Sequence, residues 1–162
     1  MELINYFETY ISAQKGVGFN AFVFGTGMLL AAVLLHVYGG SQLATGIRNG
    51  SFVIGLLLFL MGVGLRISQE NILKEQKALF EKDPVEFKQT EIERMTKVKN
   101  NYPKGQTVMI VFATLSLVAF LLIKSPIWQG VSLSVAIFFV GNIIIEAFSN
   151  LAITGYYEHL LK

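Results

Sequence analysis

Four apolar runs, at residues 19–38, 51–68, 106–123 and 127–157, constrain this chain more than anything else in it. Each is about 18 residues or longer, enough for a helix to cross a hydrocarbon core ~30 Å thick. The rest of the composition agrees: 53% of the residues are hydrophobic and 15% charged, against about 25% charged in soluble domains. The chain is short of the residues a water-facing surface needs, and long apolar runs then read as membrane spans. The expected fold is an all-α membrane protein of 162 residues, a single domain built as a four-transmembrane-helix bundle.

Taken in order, residues 1–17 open with Leu3, Ile4, Phe7, Tyr10 and Ile11 at helical spacing among polar residues. This pattern predicts a short amphipathic helix lying at the membrane interface. Its acidic start does not suit a cleaved signal peptide, whose first region is positive. The first span (19–38) carries Asn20, Thr26 and His36, and Gly39-Gly40-Ser41 ends it. In the second (51–68), Gly55, Gly62 and Gly64 are positions where a neighbouring helix could come close, and Arg66 sits near its end.

Residues 69–104 differ in kind, with seven acidic and eight basic side chains. Asp83-Pro84-Val85-Glu86 is a helix start, with Asp83 as the cap and Pro84 in the first helical position. Val85, Ile92, Met95, Val98 and Tyr102 are expected to form the apolar face of the helix that follows. The segment reads as a cytoplasmic helical hairpin with solvated charges, its arms continuing the second and third spans. Asn101 to Gly105 is the expected kink at re-entry. Lys104 and Lys124 bracket the third span, and Ser125-Pro126 is a tight turn. Trp128 and the Tyr156-Tyr157 pair are expected at the two interfaces as an aromatic belt.

Orientation follows from basic residues. The hairpin carries eight, whereas the opposite loops carry Arg48 and Lys124. Positive-inside logic puts the hairpin and both termini in the cytoplasm of a bacterial-type plasma or inner membrane.

In the last run, Asn142, Glu146, Asn150 and Thr154 recur every fourth residue, a polar stripe on an apolar helix. A carboxylate in such a place is costly and is expected to face protein or a cavity. Counting along the helices places Arg66 at the depth of Glu146, with Asn20 in the same half. Glu146, Asn142, Asn150, Arg66 and Asn20 are therefore the candidate ligand- or ion-binding set, with a structural Glu146–Arg66 ion pair as the alternative. His36 lies near the outer end of the first span, as an interfacial histidine or a pH sensor.

Other chemistry finds little footing. The net charge of +2, with interleaved signs, gives no nucleic-acid footprint. Without cysteine there are no disulfides, thiolate metal sites or thiol nucleophiles, and two distant histidines do not suit a haem. No zinc-protease, nucleophile-elbow or P-loop motif occurs, so no enzyme, cofactor or metal is expected. Two readings follow. One is a small channel- or transporter-like protein that binds a cation or proton at Glu146. The other is a non-transporting binding protein, an immunity, scaffold or regulatory subunit acting through lipid-facing helices or the 69–104 hairpin. Membrane lipid and further copies of the chain are the expected partners, with a protein partner possible at the hairpin.

Overall fold

The computed structural model describes residues 2–162 as four long helices: α1 (Glu2–Tyr38), α2 (Gln42–Lys82), α3 (Pro84–Leu122) and α4 (Pro126–Leu160). All four are long and apolar enough to cross a membrane. They run alternately up and down. The connections at residues 39–41 and 123–125 share one end (the loop end), and the Asp83 turn shares the other (the hairpin end) with both termini.

The breaks fall where turn chemistry puts them. Ser41 caps α2, its hydroxyl accepting from Ala44 N at 3.1 Å. Asp83 ends α2 and caps α3, with Oδ1 accepting from Val85 N at 2.9 Å and Glu86 N at 3.0 Å. Pro84 and Pro126 open α3 and α4, where a missing N–H costs nothing. Pro103 does not end α3, which continues unbroken through the expected re-entry segment.

Glycine sets the packing of the apolar half. On α1, Gly18 and Gly25 lie seven residues apart and meet Gly62 and Gly55 of the antiparallel α2. A Cβ added at Gly25 would lie 2.6 Å from Phe59 N and 2.8 Å from Gly55 O. Without side chains at these positions the two backbones touch, and the gain is dispersion contact along the whole seam. Gly64, by contrast, faces open space. A second seam joins α2 to the parallel α4, where Gly46, Gly50, Gly130 and the buried Ser134 meet. Ser134 Oγ donates to Gly130 O or Ile47 O, each at 3.1 Å. The Phe112–Phe139 stack ties α3 to α4, and α3 leans on α4 more than on its hairpin partner α2. Its outer face, with Val108, Val111, Leu115 and Leu121, is exposed.

At the hairpin end the fold departs from the expectation of a surface-lying helix. Residues 2–15 are the first turns of α1, continuous with its apolar run, and pack inward. Phe7, Tyr10 and Ile11 are buried against Phe87 and Met95 of α3 and Ile153, Tyr156 and Leu160 of α4. The hairpin is thus two sides of a four-helix head. Amphipathic residues that would otherwise need an interface find the same apolar shelter between neighbouring helices. Two ion pairs, Lys15 with Glu70 and Lys77 with Glu8 (2.6 Å), clamp α1 to α2 along this head.

Candidate functional site

Cross-links fix the relative heights of the helices. Gln14 and Ser149 exchange hydrogen bonds of 3.0 and 3.1 Å, so α1 and α4 are level there. Lys15 pairs with Glu70 on α2, and Tyr102 of α3 donates 2.8 Å to the backbone carbonyl of Glu146. Glu146 and Arg66 each lie about one helical turn from this layer toward the loop end. They share a depth, as the residue count predicts, but not a side of the bundle. Arg66 lines a cavity between α1 and α2 with Gly18, Phe22 and Gly62, whereas Glu146 sits beside Tyr102 on the α3 flank of α4. Among the described residues neither makes an ion pair.

The other members of the predicted set are not gathered around Glu146. Asn142 spends its carboxamide on its own helix, donating to Phe138 O at 2.8 Å. Asn150 and Asn20 are exposed, and Glu146 and Thr154 are half-buried. The inward face of α4 in this half is Ser149, Ile153, Tyr156 and Leu160. Ser149 and Ile153 each precede a stripe position by one residue, about 100°, and Tyr156 and Leu160 continue their row, so the stripe runs along the edge of the interface rather than its centre.

The tightest polar constellation lies in the head, among residues whose sequence pattern predicts a solvated face, an aromatic belt and, for Tyr10, the apolar face of an interfacial helix. Glu91 of α3 is wholly buried. Arg94, one turn on, donates to both its oxygens, Nε to Oε1 and one terminal nitrogen to Oε2, each at 2.7 Å. Tyr156 of α4, also buried, donates to Glu91 Oε2 at 3.0 Å. The Arg94 guanidinium lies 5.4 Å from the centre of the Tyr10 ring on α1, and that ring stacks on Tyr156 at 4.9 Å. α3 and α4 therefore meet on one carboxylate, and α1 covers the pair with the Tyr10 ring. Burial works against the Arg94 charge, yet the hydrogen bonds and charge of Glu91 outweigh it and hold Arg94 above the ordinary arginine value. Burial likewise pushes up the Tyr10 phenol. A fully paired, desolvated group of this kind fixes register and leaves no open ligand position.

The signal for this cluster was in the sequence. Glu91 falls four residues after Phe87 and four before Met95, in the middle of the face α3 buries. That face includes Phe87 and not Val85, which is 77% exposed. Tyr156 belongs to the core instead of the belt, while Tyr157 lies under Lys99, whose Nζ is 4.6 Å from the ring centre. At the loop end His36 is exposed, and Arg48 of α2 donates to its Nδ1 at 3.2 Å.

Comparison with protein-family models, curated proteins and solved structures found no match to this chain.

Proposed function

We propose that this is an integral membrane protein that binds a partner without transporting a solute: a scaffold, regulatory or immunity-type subunit. Its apolar half lies in the bilayer, and its charged head and both termini lie in the cytoplasm of a bacterial-type inner membrane. The observation that carries the reading is the closed interior of the head. Glu91, Arg94 and Tyr156 satisfy one another beneath the Tyr10 ring, where a conduction route along the bundle axis would emerge, and Glu146 stands to one side of that axis. A rigid head with alternating surface charges suits docking better than conduction. A homo-oligomer covering Asn150 and the outer face of α3 belongs to the same reading.

The competing reading, a cation or proton site at Glu146, draws support from one feature. This half-buried carboxylate lacks an ion-pair partner among the described residues. Proton and potassium flux into liposomes separates the two. Silence in both the native chain and Glu146→Gln supports the binding reading, and flux abolished by Glu146→Gln overturns it. Orientation is tested separately. Since the chain has no cysteine, a single one introduced at Lys82 or at Lys124 is its only thiol. Labelling from the cytoplasmic side alone is expected at position 82, and from the outside alone at 124.

A further inference from the structure

We propose that the outer groove between α1 and α2 holds two phospholipid phosphates, one in each leaflet, bound by Arg48 and Arg66. The two arginines are 18 residues apart on α2. That is about five whole turns, so they project from the same face with about 27 Å between them. This spacing is close to the ~30 Å thickness of a hydrocarbon core. Each arginine stands at the mouth of an apolar cavity in the same seam. At the loop end the cavity is about 320 Å³, walled by Ala32, Val33 and Phe52 with His36, Arg48 and Asn49 at its rim. Nearer the hairpin end it is about 190 Å³, walled by Gly18, Phe22, Gly62 and Val63 beside Arg66. Gly18 and Gly62, where the two backbones touch, line the second cavity, so it follows the seam between α1 and α2.

Charge supplies the occupant. No aspartate or glutamate occurs between Glu8 and Glu70, or between Glu93 and Glu146, so the loop end carries only positive charge. Among the described residues, neither arginine has a carboxylate partner. Arg48 spends one N–H on Asn49 Oδ1 at 3.1 Å and another on His36 Nδ1, leaving the rest of its fork unspent. With Nδ1 accepting, the His36 ring carries its hydrogen on Nε2, a further donor for a phosphate oxygen. Glu70, the nearest acid to Arg66 along α2, is held by Lys15. A guanidinium beside an apolar trough matches a phosphodiester above an acyl chain: a bidentate anion contact at the head and dispersion along the tail.

The inference rests on the membrane placement proposed above, not on the choice between binding and transport. Native mass spectrometry of the full chain, released from vesicles of phosphatidylglycerol and phosphatidylcholine, counts retained phospholipids. Two are expected for the native chain, one each for Arg48→Gln and Arg66→Gln, and none for the double variant. Lysine in place of either arginine should restore retention only in part, because a point charge keeps the attraction and loses the bidentate contact. Titration with short-chain phosphatidylglycerol in detergent should show about tenfold or greater weakening per arginine lost. Diacylglycerol, which lacks the phosphate, should not compete, and inorganic phosphate should compete only weakly without the acyl contact. Unchanged retention in the double variant, equal competition by diacylglycerol, or full competition by inorganic phosphate would overturn the proposal. Helical content by circular dichroism confirms that each variant folds. If thiol labelling finds positions 82 and 124 on the same side, the bilayer placement and this proposal fall together; opposite sides with arginine-independent retention removes this one alone.

Discussion

Adding one methyl group at Gly62 tests the seam on which the bundle depends. The new Cβ would lie 2.5 Å from Phe22 N and 2.6 Å from Gly18 O, both backbone atoms that no rotamer change can move aside. Ordinary carbon contacts sit at ~3.5 Å, so α1 and α2 must part by about 1 Å around this point. A gap of that size forfeits a quarter to a half of each dispersion contact it opens, and overpacking of this kind costs ~1–3 kcal/mol. Alanine returns ~0.5–1 kcal/mol through its better helix propensity. The net expectation for Gly62→Ala is a loss of about 1–2 kcal/mol. Gly64, two residues on, meets nothing within 4 Å, so Gly64→Ala keeps the propensity gain without the clash. The two variants should differ in sign. Thermal unfolding in detergent reads the difference at about 2–4 °C per kcal/mol for a chain of this size. Equal midpoints for the two variants would refute the close approach of the backbones, and with it the glycine packing of α1 on α2.

In the head, Arg94→Met alone should cost ~3–5 kcal/mol because it strands the buried Glu91 carboxylate, whereas Glu91→Leu with Arg94→Met should recover most of that loss; denaturant unfolding of the three chains checks it. Tyr156→Phe removes one donor to Glu91 and should cost ~1–3 kcal/mol by the same assay. The hydrogen bond and charge of Lys15 hold the half-exposed Glu70 carboxyl below its ordinary range. Its clamp on α1 therefore contributes above that range and is lost as pH falls through the lowered value. The midpoint difference between the native chain and Glu70→Gln should shrink on acidification, and added salt should shrink it further. A difference that grows toward low pH would reverse the assignment.

Much of this architecture is written in the residue order. Apolar runs separated by Gly-Gly-Ser, Asp-Pro and Ser-Pro fix four helices and their ends, because a capping side chain and a missing N–H act locally. A fixed rise of about 1.5 Å per residue also gives depth, which is why Glu146 and Arg66 occur at the height that counting assigns them. Counting along an axis says nothing about rotation around it. Which face of α4 turns inward was decided by the glycine seams and by the aromatic side chains of the head. These put Ser149 and Tyr156 at the centre, Glu146 at the edge, and Arg66 in a different groove. The N-terminal stretch shows the same division: its amphipathic pattern demands an apolar surface, and membrane and protein satisfy that demand equally well. Only the packing of α1 against α3 and α4 chose protein, and it carried Glu91 and Arg94 out of solvent into the core.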